Sequence, residues 1–361
     1  MPQNLDIKKK SDWIEGKRPH FFFGPCSAES PEQLRSTAAG IAKNYGKIIF
    51  RAGVWKPRTR PNTFEGVGSE ALEWMREIRE EFGFQLTTEV ANPEHVEDCL
   101  KAGIDILWVG ARTTVNPFSV QAIADALQGV DLPVFVKNPI NPDLSLWMGA
   151  LERINKAGID KLGAIHRGFH LADNGPYRNA PNWNLAIELK SAYPELPLIC
   201  DVSHIAGKRN LIGHVAQKGI DLDMDGLMVE THIDAEKALS DPQQQLTPEQ
   251  LHELIKNLTP KKKSSDDQEF RSQLEVLRDE IDKIDEELLE RIAVRMNLAK
   301  QIGEYKKNNK VTVLQVNRWQ EILQNSLKQG EALGLSKKFV RALLNAIHDE
   351  SISQQTLIQE E

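Results

Sequence analysis

Cysteine is scarce in this chain. Only Cys26, Cys99 and Cys200 occur in 361 residues. An odd, low count excludes a disulfide-stapled secreted scaffold and suits a reducing cytoplasm. An excess of positive charge is also missing. The formal net charge of -7 argues against a dedicated nucleic-acid binder. No stretch approaches the roughly 20 consecutive apolar residues that a membrane-spanning helix needs, so no membrane role is expected. The first ten residues lack the apolar core of a secretory signal. What the chain does have is a hydrophobic content of 40%, sufficient for sizeable cores, and a length that suits one large domain plus a smaller one.

Up to about residue 258, short β-rich runs alternate with amphipathic stretches. The runs 20–26, 47–53, 84–90, 104–110, 133–138, 162–168, 197–203 and 225–231 read as strands. Helices are expected at 31–45, 69–82, 93–102, 119–127, 145–157, 184–193, 210–219 and 247–258. Eight strands, each followed by a helix, in about 250 residues is the count of a (β/α)8 TIM barrel. An open doubly wound sheet is the rival, and eight repeats disfavour it. Asn92-Pro93 and Thr247-Pro248 read as an N-cap followed by proline at the first helical position. Gly103, Gly158 and Gly219 read as helix ends. Residues 259–267 are polar, charged and contain proline, as a linker would be. From 268 to 361 the pattern is helical throughout, a small all-α domain.

In such a barrel, chemistry sits where strands end. Those ends are polar here: Cys26, Arg51, Glu89, Arg112, Lys137, His166-Arg167, Asp201 with His204, and Glu230, with Asp241 in the loop beyond. Closure makes the first, seventh and eighth strands neighbours, which draws Cys26, His204, Glu230 and Asp241 toward one seam. A thiolate, an imidazole and two carboxylates form a plausible divalent-metal site, and Mn, Fe, Co or Zn would all be tolerated. Arg51, Lys56, Arg58, Arg112, Lys137 and Arg167 are expected to converge on the opposite side. Such a mouth calls for phosphate or carboxylate groups. Taken singly, each residue has a plainer explanation as a core thiol or a structural ion pair. Packing is the preferred role for Cys99 and Cys200, and packing or surface for His214 and His232. A charged residue at one end of nearly every strand is harder to explain that way.

The motifs Gly24-Pro25-Cys26-Ser27-Ala28-Glu29, Arg51-Ala52-Gly53, Lys56-Pro57-Arg58-Thr59, Gly110-Ala111-Arg112, Val136-Lys137-Asn138-Pro139, Ile165-His166-Arg167-Gly168 and Asp201-Val202-Ser203-His204 resemble 3-deoxy-D-arabino-heptulosonate-7-phosphate (DAHP) synthases. The resemblance spans the whole barrel. It implies that Cys26, His204, Glu230 and Asp241 bind the metal. It implies that Arg51, Lys56, Ala111, Arg112, Lys137 and Arg167 hold phosphoenolpyruvate, with Glu89 nearby, and that Arg58 and Thr59 take erythrose 4-phosphate. Lys56 is the candidate for proton transfer to the new hydroxyl. Arg60 stands where the family commonly has a small Ser, and is expected to face solvent. A related sugar-acid synthase using a different aldose is the enzymatic rival, and Lys56-Pro57-Arg58-Thr59 argues against it.

The first helix of the tail reads from 268 to 307, roughly 60 Å at ~1.5 Å per residue. A helix that long needs a partner to cover it. Its seam runs Leu274, Leu277, Ile281, Ile284, Leu288, Ile292, Arg295, Ala299, Ile302, Lys306, at alternating spacings of three and four. Arg295 and Lys306 therefore fall on the face that should be buried, where either acidic residues or an anionic ligand must meet them. Arg278 lies off the seam. Periodicity alone favours a helical dimerisation module with internal ion pairs.

The tail also resembles an all-helical chorismate mutase, at Arg278, Arg295, Lys306, Arg318, Ser351 and Gln355. That resemblance implies an intertwined homodimer in which Arg278 reaches the other protomer's site. It implies that cations hold the two carboxylates of chorismate, and that Lys306 and Gln355 bond the ether oxygen. Gln315 stands where the family often has Asp, and Trp319 where it often has Glu. Those carboxylates would meet a substrate hydroxyl; Gln315 can still bond it, whereas Trp319 can only donate. A bifunctional enzyme of aromatic biosynthesis is expected, with feedback on the barrel by prephenate at the mutase site. The alternative is a synthase whose tail only senses prephenate or chorismate and dimerises.

Overall fold

The computed structural model describes residues 7, 13–14, 16–57, 63–262 and 264–360. Its contacts divide the chain into two compact units, one up to residue 263 and one from residue 264.

The first unit is a closed barrel of eight parallel strands in sequence order. They are β1 (His20–Gly24), β2 (Ile49–Arg51), β3 (Gln85–Val90), β4 (Ile106–Val109), β5 (Val134–Lys137), β6 (Leu162–His166), β7 (Leu198–Asp201) and β8 (Gly226–Glu230). Each is almost wholly buried, because helices cover the outside and side chains fill the inside. Alternate residues divide accordingly. Phe22, Ile49, Ile106, Trp108, Phe135, Ile165, Ile199 and Met228 form the inner core, while Phe23, Phe50, Leu107 and Val136 join the outer core under the helices. Trp13 closes the N-terminal end of the barrel: its ring lies 5.4 Å from that of Phe135, and its indole N–H donates to Leu162 O at 3.0 Å. The closing register sets Gly24 opposite Glu230 across β1 and β8.

The eight expected helices are all present, and their starts are chemically marked. Ser30, Asn92, Asn116, Asp143 and Thr247 each accept a hydrogen bond from a backbone N–H of the first turn. Gly103 ends its helix in the left-handed conformation, as expected. Gly219 does not end one. Its helix runs through it as Arg209–Asp221, and the missing side chain instead lets the backbone approach Cys200 on β7. Two short helices, Ala111–Thr114 and Val202–Ala206, follow β4 and β7 directly. They place Arg112 and His204 one turn beyond the strand ends rather than on them.

The second unit is three helices, Gln268–Asn308, Val316–Ala332 and Lys337–Glu360. On the first, only Ala299 and Gly303 are buried. Leu277, Ile281, Ile284 and Leu288 are each more than half exposed, so the seam is uncovered within the chain. No described helix in the chain is long and apolar enough to cross a membrane.

Candidate active sites in the barrel mouth and the tail

The C-terminal mouth of the barrel is organised around Cys26. At Gly24 φ is +143°, and the backbone of Arg51 fills the space a side chain would need, so β1 can turn inward. The Cys26 thiol lies 3.0 Å from Lys56 Nζ, 3.2 Å from Ser240 Oγ and 3.5 Å from Asp241 Oδ2. Burial, reinforced by Glu230 and opposed by Lys56, pushes the thiol up to about 12. Lys56 Nζ also donates to Cys26 O at 3.0 Å.

Glu230, at the end of β8, is fully buried. It accepts from Arg51 Nη1 at 2.9 Å and from Gln244 Nε2 at 2.6 Å. Burial opposes its ionisation, yet His204 and Arg51 hold the carboxyl below its ordinary value. Asp241 has a left-handed backbone (φ 51°) and pairs with Arg178 Nη1 at 2.9 Å. There too burial is outweighed, by Arg178, His204 and Lys56, and the carboxyl falls to about 2. His204 Nδ1 faces Asp201 Oδ2 at 2.9 Å, while burial keeps the imidazole neutral more than its acidic neighbours favour the cation. With Nδ1–H donated to Asp201, Nε2 keeps its lone pair, as a metal-ligating histidine does. Asp201 also holds Lys137 Nζ at 2.8 Å, and His204 and Lys137 keep it ionised against its burial.

Among the described residues, no three His, Cys, Asp or Glu side chains converge closely enough to hold one ion as they stand. The chemistry of the donors nevertheless fits a divalent metal: a thiol, an oriented imidazole and two carboxylates around one mouth. The residues 240–245 tie these donors together. Gln245 accepts from Cys26 N at 2.9 Å and donates to Ser240 O at 2.7 Å. Gln244 accepts from Arg178 at 2.6 Å while donating to Glu230.

The cations do not gather on one opposite side. Since β2 pairs with β1, Arg51 and Lys56 lie against Glu230 and Cys26, on the thiol side. The remaining group is Arg167, Arg112 and Lys137, joined by Arg178. Burial first, then repulsion from Arg178 and Arg112 against the pull of Asp201, lowers the Arg167 guanidinium to about 10. A buried arginine destabilised by other arginines marks a place built for an anion. Asn138 fixes it by accepting from Arg167 N and donating to Gly168 O, both at 2.7 Å. Asn179 accepts from Arg167 Nη1 at 2.8 Å.

Trp108 ties the two groups together. Arg51 and Lys137 approach its ring at 5.1 and 5.3 Å, and its N–H donates to Glu89 Oε2 at 2.9 Å. A Cβ at Gly110 would press into the Glu89 carboxylate, 2.6 Å from Cδ, so this glycine makes room for Glu89. Ala111 begins the short helix that carries Arg112, which is exposed. Arg58, Thr59 and Arg60 lie outside the described residues.

In the tail, Arg295 Nη1 donates to Ser351 Oγ. Lys306 Nζ donates to Gln355 Oε1 at 3.1 Å and to Val313 O at 2.5 Å, and burial lowers its pKa. The two seam cations are thus met by neutral dipoles, which leave their charge available to an anionic ligand. Arg278, Gln315 and Arg318 are exposed and stand apart from this cluster, Arg318 pairing with Glu321 at 2.7 Å. Trp319 stacks on His348, centroids 4.0 Å apart and planes 11° from parallel.

Sequence reasoning missed Trp108, Arg178, Gln244, Gln245 and His348, and gave no role to Asn138, which stood in a quoted motif. Asp201 stood in a quoted motif but was given no role. For the glutamines the only signal was a polar run, Gln243-Gln244-Gln245, indistinguishable from a solvated loop.

Comparison with known proteins gives two family matches. Residues 4–265 match the model of the DAHP synthetase I family, and residues 277–356 that of chorismate mutase type II. The phospho-2-dehydro-3-deoxyheptonate aldolase of Thermotoga maritima is 30% identical over 235 residues, 65% of this chain and 67% of that relative. Its crystal structure superposes with a TM-score of 0.60 at 29% identity, covering 66% of this chain and 67% of that one. A 2-dehydro-3-deoxyphosphooctonate aldolase of Helicobacter pylori is 27% identical over 266 residues, 67% of this chain and 94% of that relative.

Proposed function

We propose, from the premise that this chain belongs to the DAHP synthetase I family, that its barrel condenses phosphoenolpyruvate with erythrose 4-phosphate to DAHP and phosphate. The tail, which matches chorismate mutase type II, would rearrange chorismate to prephenate. The observation that carries the first reading is a buried Arg167 set against the positive charge of Arg178 and Arg112, in the same mouth as Cys26, Glu230 and Asp241.

In this reading Arg112, Lys137 and Arg167 hold the phosphate and carboxylate of phosphoenolpyruvate, with Arg51 and Ala111 beside them, and Arg58 and Thr59 take the sugar phosphate. Lys137 is aimed by Asp201, and Arg167 by Asn138. The methylene carbon attacks the aldehyde carbon, the aldehyde oxygen gains a proton, water adds at the former enol carbon, and phosphate leaves. The fixed cations offset charge on the phosphate and carboxylate throughout. Lys56, beside the thiol, is the proton donor to the new hydroxyl. Cys26, His204, Glu230 and Asp241 would hold a divalent ion, Mn, Co, Fe or Zn, which when bound supplies Lewis-acid polarisation.

In the tail, Arg295 and Lys306 provide fixed positive charge for chorismate, with Ser351 and Gln355 orienting them and no covalent step required. The uncovered seam of the first tail helix supports a homodimer, in which Arg278 of one protomer serves the site of the other. Prephenate held in the tail would restrain the barrel. Three free cysteines suit a cytoplasmic enzyme.

One assay tests both activities. The purified, metal-reconstituted chain is given phosphoenolpyruvate with erythrose 4-phosphate, and separately chorismate. Consumption in both supports the bifunctional reading. Consumption only with a longer aldose phosphate would move the barrel to the phosphooctonate type. Absence of chorismate turnover would favour a second reading, in which the tail is a sensor and dimeriser; the exposure of Gln315 and Arg318 is the observation on its side.

A further inference from the structure

Trp319, which stands where the mutase family often has Glu, is stacked on His348. His348 precedes Ser351 by three residues and Gln355 by seven, so its ring rises from the helix face that carries both. Trp319 follows Arg318 on the second tail helix and lies flat against that ring. Both rings are half-buried. Burial, helped by the positive charge of Arg295 and Lys306 and opposed by Asp349, lowers the pKa of His348, so the imidazole is neutral at pH 7. The pair therefore borders the same cation cluster.

The hydrogen-bonding capacity of that cluster is one-sided. Arg295 and Lys306 only donate. The Ser351 hydroxyl already donates to Ile347 O at 2.7 Å, and Gln355 Oε1 is engaged by Lys306. Trp319 can only donate. Among the described residues, no partner occupies the ring nitrogens of His348. A neutral imidazole always carries one accepting nitrogen, so this ring supplies what a hydroxyl-bearing anion would lack elsewhere in the site.

We propose that the Trp319–His348 pair is the specificity wall of the tail site: a ring nitrogen of His348 accepts the hydrogen bond of the ligand's ring hydroxyl, and Trp319 is the positioning residue that fixes the tilt of the imidazole. The ligand class is a cyclic dicarboxylate bearing a ring hydroxyl. This rests on the mutase reading of the tail.

The test uses the full-length protein and two compounds, chorismate and an analogue with hydrogen in place of the ring hydroxyl. His348→Phe keeps a ring for Trp319 to stack on and removes both nitrogens. It should raise KM for chorismate about tenfold with kcat within about twofold, as loss of one hydrogen bond does. Turnover of the analogue should stay the same. His348→Gln, which restores an acceptor, should recover part of the discrimination. Equal effects of His348→Phe on both compounds, or no effect on either, would overturn the proposal. Arg295→Ala is the control. If wild type turns over chorismate, Arg295→Ala abolishes it and His348→Phe is silent, this inference alone fails. If wild type leaves chorismate untouched, the mutase reading falls and takes the inference with it.

Discussion

Gln244 is the side chain whose replacement most directly tests the barrel site. It is 1% exposed and makes two bonds, accepting from Arg178 Nη1 and donating to Glu230 Oε2, each at 2.6 Å. Gln244→Met keeps the length and removes both. Glu230 retains Arg51 at 2.9 Å, but one oxygen loses its donor in a fully buried setting. A hydrogen bond to a charged group contributes about 1.5–3 kcal/mol. Loss of an outer-shell partner typically weakens metal binding about 10–100-fold, which is about 1.4–2.8 kcal/mol. The two routes to the magnitude agree. Arg178 keeps Asp241, so the loss should fall on Glu230. The assay is competition between the protein and a chelator for Co(II), followed through the visible absorption of a cobalt thiolate. Affinity should drop between ten- and a hundredfold while the thiolate band persists, since Cys26 is held separately by Gln245. Unchanged affinity with stability lowered by about 2 kcal/mol would make Gln244 a purely structural residue and refute the reasoning.

Three further outcomes are expected. His166 is fully buried and held neutral, its pKa lowered to about 3, chiefly by burial. Because the unfolded histidine binds a proton near pH 6.5 and the folded one does not, stability should fall as pH drops from about 6.5 toward 3, by about 2 kcal/mol at pH 5; urea unfolding of His166→Leu should lack that component, and identical slopes would contradict it. Gly110→Ala should push Glu89 off the Trp108 N–H and raise KM for phosphoenolpyruvate about tenfold, and an unchanged KM would mean that Glu89 is not held for substrate. Ile284→Glu should place a charge in the seam and convert a dimer to a monomer in sedimentation with loss of chorismate turnover, whereas a wild type that sediments as a monomer would refute the dimer.

The barrel was legible because its signals are local. Most strands are short runs dominated by apolar residues, and Asn92-Pro93 or Thr247-Pro248 announces a helix within four residues. Two kinds of feature escaped. The helices Ala111–Thr114 and Val202–Ala206 are a single turn or little more, too short to show a 3.6-residue period. Gly219 carried the sign of a helix end, but its cause was a close approach to Cys200, a partner nineteen positions away that local pattern cannot see.

The same division holds in the sites. Cys26, Arg51, Lys137 and Glu230 could be picked out because a charged or reactive residue at the end of an apolar run violates the run's own logic. Gln244 and Gln245 violate nothing, since glutamines in a loop are what solvent would select. Only closure between β1 and β8 carries Cys26 to Gln245, 219 residues along the chain, and turns a loop glutamine into its backbone clamp. The tail makes the point from the other direction. Arg295 and Lys306 stood out as cations on an apolar seam, and the structure meets them with Ser351 and Gln355, 56 and 49 residues away. Neither partner carries a charge. An acidic partner at either place would have completed a structural ion pair and ended the question. Dipoles orient the cations without neutralising them, and a half-buried cation kept unneutralised is a standing demand for an anion.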